Sequence, residues 1–199
     1  IAPVAYCRAI DKNYDDQKSI CYLSDDKGQT WHRSKGEVSF ENAAAMEPGV
    51  VELKDGRIFM IIRTELDRIY KSFSSDRGET WTKPEPTDLV APAAPASIAR
   101  IPKTQDLLII WNNNPKGADA GWKGRNPLTS AISKDEGKTW THVRNIEIRR
   151  ECGFGYTSIT FVDERTYLTY YKWQRGEPNF HGTDLMLRII PVEWFYEQE

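Results

Sequence analysis

The sequence has no apolar run near the roughly 18 residues that a membrane-spanning helix needs, so it offers no candidate span. It also lacks an excess of either charge: 27 Lys and Arg stand against 29 Asp and Glu, a formal net charge of −2. A chain so balanced carries no electrostatic footprint for nucleic acid or an anionic membrane. Cysteine is scarce and odd in number, with Cys7, Cys21 and Cys152. Such a set is not a disulfide framework, and each reads as a small buried hydrophobe. Histidine is equally scarce, and His32, His142 and His181 show no metal-ligand spacing. No dense carboxylate loop demands calcium. The expectation is therefore no metal and no cofactor. There is no N-x-S/T sequon, no Gly/Ser linker and no helical hydrophobic period. An initial Met and a signal-like segment are absent too. The chain starts at Ile1, which reads as a processed protein or a piece of a longer one.

What is present points to strands. Of 199 residues, 39% are hydrophobic and 12% aromatic, with seven Trp and nine Tyr. Aromatic enrichment favours strands and also suits sugar-binding clefts. Three segments align as S-x-D-x-G-x-T-W: Ser24 to Trp31, Ser74 to Trp81 and Ser133 to Trp140. Their starts lie 50 and 59 residues apart, a repeat of propeller-blade length. The pattern is that of a turn. Its Asp accepts backbone N–H bonds within the loop, its Gly takes a conformation costly to other residues, and its Trp covers apolar surface. These Asp residues are accordingly structural.

The rest of each unit reads as strands. In the second unit they are expected at Glu47 to Leu53, Arg57 to Arg63 and Arg68 to Phe73, with a short fourth at Thr80 to Thr82. Lys54-Asp55-Gly56 is a hairpin signal. The third unit gives Ala96 to Ile101, Leu107 to Trp111 and Pro127 to Ile132. The fourth gives Tyr156 to Val162, Thr166 to Lys172 and Asp184 to Ile190, without the turn motif. The run from Pro84 to Pro95 reads as a connection. Four strands per repeat is a propeller signature. The repeat units, about 1–40, 46–90, 95–145 and 155–199, make a single all-β propeller portion of about three and a half blades.

Strand order fixes which ends meet. In a meander, the 1–2 and 3–4 turns share one end, so the Asp-bearing turns mark one face. The opposite rim then receives Glu47, Arg63, Arg125 and Tyr156. Each has a plainer reading. Glu47 could be a solvated strand end, the arginines surface residues or structural ion pairs, and Tyr156 a half-buried core aromatic. Trp122, Trp173 and Asn112 are candidates for shaping the pocket, though core packing explains them as well. His32 and His142 follow box tryptophans and belong to the structural face.

The three turns resemble the Asp boxes, or BNR repeats, of the sialidase (neuraminidase) superfamily. Met46 to Arg57, followed by Ile62-Arg63-Thr64, is similar to the family's stretch with a Glu and, one hairpin later, an Arg. Gly124-Arg125-Asn126-Pro127-Leu128 resembles the stretch with the last arginine of its triad. Gly155-Tyr156-Thr157-Ser158-Ile159 resembles the Tyr-bearing strand. The resemblance implies a six-bladed propeller when complete and an exo-α-sialidase activity that retains configuration through a tyrosine, an exception to the two-carboxylate pattern. It implies Tyr156 as nucleophile, Glu47 as its base, and Arg63 with Arg125 as a clamp on the substrate carboxylate. Arginine forks suit that task because they bind carboxylate bidentately. A phenol, weakly nucleophilic at its free pKa near 10, needs such a base.

Two parts of the family pattern are missing: the first triad arginine and the acid/base Asp. Arg8 and Asp11 precede the first box in a setting unlike theirs. The expectation is a C-terminal half that starts partway through the propeller, is inactive alone and exposes open blade edges. Its implied partners are a sialylated or other acidic glycan and the upstream remainder of the propeller. Two other functions stay open: a non-catalytic carbohydrate- or protein-binding propeller, and a hydrolase of another acidic sugar. A sialoside substrate implies a secreted or periplasmic location.

Overall fold

Strands and one short 3₁₀ turn make up the regular structure of the described residues, 1–6, 17–114, 124–174 and 182–197, in a computed structural model. The chain divides into two units, Ile1–Leu89 and Val90–Glu199. In the first, β1 (Ala2–Tyr6), β2 (Lys18–Leu23) and β3 (His32–Arg33) form one sheet. There, too, β4 (Met46–Glu52), β5 (Ile58–Arg63), β6 (Arg68–Ser74) and β7 (Glu85–Val90) form a second, in that order. In the second unit, β8 (Ser97–Arg100), β9 (Leu107–Trp111), β10 (Leu128–Ser133) and β11 (Thr141–Glu147) meander likewise. A last sheet holds β12 (Cys152–Val162), β13 (Arg165–Gln174) and β14 (Asp184–Pro191), followed by the 3₁₀ turn Val192–Tyr196.

Within each unit the first strands of consecutive sheets adjoin, β1 beside β4 and β8 beside β12. That is how propeller blades meet. Ser97 Oγ donates to the Thr157 carbonyl at 2.6 Å across the second of these contacts. The inner strands β5, up to its final Arg63, and β9 are apolar because both faces are covered. In the second unit, Leu108, Ile110 and Ile132 pack in one core with Phe154, Leu168 and Tyr170.

The three Asp boxes fold alike. Asp26, Asp76 and Asp135 accept the backbone N–H of the Thr four residues on, at 2.8–2.9 Å. They also accept that Thr's hydroxyl at 2.5–2.6 Å and the box Ser hydroxyl at 2.8 Å. Each turn uses two left-handed residues, Lys27-Gly28, Arg77-Gly78 and Glu136-Gly137. Hydrogen bonds from Thr30 and Thr80 hold the Asp26 and Asp76 carboxyls down at about 2. At Asp135 burial pushes upward, but the bonds from Thr139 and Ser133 prevail and its pKa is lowered.

Two strand expectations are corrected. The fourth strand of the second sheet is Glu85–Val90, not Thr80 to Thr82, so it lies in the run expected to be a connection. After the box, Thr82 gives Phe73 one backbone bond, at 2.8 Å. Pro86 is tolerated because this is an edge strand, and Thr87 and Leu89 alternate inward. The first strand of the last sheet begins at Cys152, not Tyr156, because Cys152 to Gly155 already pair with Gln174 to Tyr171.

Candidate active site

Glu47 and Arg63 meet in the first unit. Met46 pairs with Arg63, but the register slips before Gly49, which leaves a bulge at Glu47 and Pro48. The bulge puts Glu47 in the left-handed region, φ 41°, an uncommon conformation for a residue with a side chain. Bulges of this kind re-aim side chains. Here Arg63 Nη1 donates to Glu47 Oε2 at 2.6 Å, with the two side chains 16% and 36% exposed. Arg63 Nε is buried without a hydrogen-bond partner among the described residues. The Asp76 box follows β6, whose Ser74 pairs with Ile58 at the other end of β5. The acid and the cation therefore sit at the end of this sheet away from the box.

Arg125 and Tyr156 meet in the second unit. The loop before β10 is tied down by side-chain amides. Asn114 Nδ2 donates to the carbonyls of Gly124 and Asn126 at 3.1 Å, and Asn126 Nδ2 donates to the Cys152 carbonyl at 3.0 Å. The Phe154 N–H donates to the Arg125 carbonyl at 2.8 Å, joining this loop to β12. Arg125 is only 4% exposed. A buried cation is costly unless compensated. Arg125 Nη2 donates to the Ala93 carbonyl at 3.4 Å, and its guanidinium carbon lies 5.2 Å from the Tyr156 ring centroid and 5.7 Å from that of Trp173. Both distances are within cation–π range.

Tyr156 is 43% exposed. It too sits on a bulge, between Gly155 and Ser158, with φ 55°. Its ring meets Tyr171 edge-on at 6.3 Å. Glu47 and Tyr156 thus share a device, a left-handed residue in the first strand of a sheet. Backbone strain of this sort gathers at functional sites.

Of the residues suspected of shaping a pocket, Trp173 touches Arg125, while Trp122 lies outside the described residues. Asn112 is buried and donates to the Pro127 carbonyl at 3.1 Å, and its Oδ1 has no hydrogen-bond partner among the described residues. Cys7, Arg8, Asp11 and His181 also fall outside the described residues. Cys21 and Cys152 are buried free thiols, and burial pushes Cys21 up to about 11. His32 bonds Glu79 at 3.1 Å on the box side of the first unit. A cavity of about 570 Å3 opens there beside Ser24, Asp25, Asp76 and Arg77. It is a poor catalytic centre, because the Asp76 carboxylate is occupied by its own turn. Among the described residues no group of three or more His, Cys, Asp or Glu could hold a metal ion, and no helix is long and apolar enough to cross a membrane.

Sequence reasoning missed Gly153 and Gly155, which let Trp173 and Arg125 close on β12. The signal was available, since glycine inside a strand marks a close approach.

Residues 3–169 match the BNR repeat-like domain. A sialidase of Vibrio cholerae is 28% identical over 141 residues, 59% of this chain and 18% of its own length. A sialidase of Bacteroides fragilis is 24% identical over 184 residues, 88% of this chain and 32% of its own. The structure of a Trypanosoma rangeli sialidase with 2,3-difluorosialic acid, a covalent intermediate, is similar with a TM-score of 0.67. That likeness has 20% identity and covers 90% of this chain and 27% of the other. The chain spans less than a third of the length of these relatives. The shared fold is a β-propeller of sialidase type, of which this chain is a part.

Proposed function

This chain belongs to the BNR repeat-like family of the sialidase superfamily, and on that premise we propose that it supplies part of the active site of an exo-α-sialidase. The observation that carries the reading is the pairing of a buried arginine, Arg125, with an exposed tyrosine held in a strained conformation, Tyr156. A sialoside carries a carboxylate on its reacting carbon. Arg63 and Arg125 bind that carboxylate as planar forks. A neutral phenol approaches the anionic centre without the repulsion an acidic nucleophile would meet.

Each step then has a residue or a stated need. Tyr156 Oη forms a bond to the anomeric carbon as the glycosidic bond breaks, and Glu47 takes the phenolic proton. The leaving oxygen is protonated by an acid that none of these four residues provides. Water then displaces Tyr156, which recovers its proton, and two inversions give retention. The reading requires Glu47 to reach the Tyr156 proton directly or through one water in the active protein. The trypanosomal relative was captured with a difluorinated sialic acid as a covalent intermediate, in keeping with such a route. Because sialosides lie outside cells, the proposal includes a secreted or periplasmic location, with the rest of the propeller supplying the remaining groups.

One observation favours a second reading. Glu47 already engages Arg63 at 2.6 Å, so a propeller that only binds acidic glycans would use the same residues without proton transfer. Hydrolysis of a fluorogenic α-sialoside by the polypeptide carrying this chain separates the two. Loss of at least about 10³-fold in kcat in Tyr156→Phe is the expected result. No turnover by the folded protein would leave glycan recognition, or hydrolysis of another acidic sugar, as the function.

A further inference from the structure

Arg125 is buried against two aromatic rings, those of Trp173 and Tyr156. On β12, Gly153 and Gly155 flank Phe154 and share one face of the strand. Gly153 is the cross-strand partner of Trp173. A Cβ added at Gly153 would lie 2.5 Å from Cε2 and Nε1 of the indole, closer than such atoms come. A Cβ at Gly155 would lie 3.4 Å from Arg125 Nη1 and 3.6 Å from Trp173 Cη2. The indole therefore runs along β12 in space that any side chain would fill. Its far end reaches the guanidinium, whose carbon is 5.7 Å from the ring centroid. Tyr156 faces the same guanidinium at 5.2 Å.

We infer that Trp173 is a positioning residue, and that with Gly153 and Gly155 it fixes the direction of the Arg125 fork beside Tyr156. The inference rests on the reading of Arg125 as a carboxylate-binding group. A two-pronged bond needs the guanidinium plane aligned before the ligand arrives. Packing against an aromatic face does this, because the planar guanidinium stacks on the ring. Leucine at 173 would keep the site apolar but remove the flat wall, and the fork could turn. Valine at 155 would press its methyl groups on Nη1 and on the indole edge, since a Cβ alone already meets them at 3.4 and 3.6 Å.

The test is titration of the polypeptide that carries this chain with N-acetylneuraminic acid and with its methyl ester, followed by NMR. The Arg125 Nε–H resonance is read in the same spectra. The acid should bind at least about tenfold more tightly than the ester, since only the carboxylate accepts the charged fork. Trp173→Phe should keep this preference, while Trp173→Leu and Gly155→Val should bring it within about twofold. A folded Trp173→Leu protein with undiminished preference overturns the inference. Should that variant not fold, an undiminished preference in Gly155→Val overturns it equally.

A wild-type polypeptide with no preference for the acid contradicts the carboxylate reading itself. The Nε–H resonance then decides the positioning separately. It should move on Trp173→Leu and stay on Trp173→Phe. An unmoved signal in Trp173→Leu refutes it.

Discussion

The box aspartates and Glu47 are acids of one chemical kind put to different uses. Each box carboxylate turns inward on its own loop, accepting bonds from its Ser and Thr. Glu47 turns toward a cation across a bulge. The first arrangement was legible because every partner lies within four residues and the pattern recurs three times. For the second, strand order put Glu47 and Arg63 on one rim, but their direct pairing depends on a register slip that leaves no mark in the sequence. The box carboxyls also set a pH dependence. Asp26 and Asp76 titrate at about 2 in the folded chain, below the ordinary Asp value of about 3.9. A lowered folded pKa stabilises the fold above the unfolded value, and that contribution is lost as pH falls toward the folded one. The thermal midpoint should therefore drop between about pH 4 and pH 2. Asp76→Asn, which has no such proton to take up, should flatten part of that slope. An identical slope in the variant would mean that this box does not carry the linkage.

Strands were legible where both faces are covered and turn chemistry bounds them. Leu107 to Trp111 is a strand at the expected residues, an apolar run with no room for ambiguity. Edge strands were harder. Glu85–Val90 contains a proline and four polar or exposed positions, and its place is set by pairing that the sequence does not display. The start of β12 was missed for a related reason. Cys152 to Gly155 holds two glycines, which weaken any strand pattern, and their role is to admit Trp173 and Arg125. Phe154 between them faces the other way, fully buried with Leu168 and Tyr170. Phe154→Ala should cost about 3–5 kcal/mol through lost transfer and an unfilled cavity. The midpoint of urea unfolding measures it. A loss under about 1 kcal/mol would mean that the β12 core collapses around the gap.

At the scale of the molecule, β14 presents an apolar ladder to solvent. Leu185, Leu187 and Ile189 are 70%, 60% and 46% exposed, and Tyr171 lies opposite Leu185 on β13. The other face of this sheet is buried in the core of its unit. Exposed apolar rows on a sheet invite association, and another blade would cover this one. The chain alone should therefore self-associate. Leu187→Lys should reduce that association while changing stability by no more than about 0.5 kcal/mol, as for other surface positions. Sedimentation and urea unfolding report the two effects. A monodisperse wild-type chain would show that the ladder needs no cover. The repeat length and the boxes made this architecture readable from sequence. The distribution of roles among Glu47, Arg63, Arg125 and Tyr156 came through family resemblance alone.

The central claim concerns a bond. Incubating the polypeptide that carries this chain with 2,3-difluorosialic acid, then mapping the label by peptide mass spectrometry, tests it directly. The account predicts one added sugar on the peptide containing Tyr156, absent in Tyr156→Phe. A folded, sialidase-active protein that is labelled at another residue, or never labelled, would contradict it.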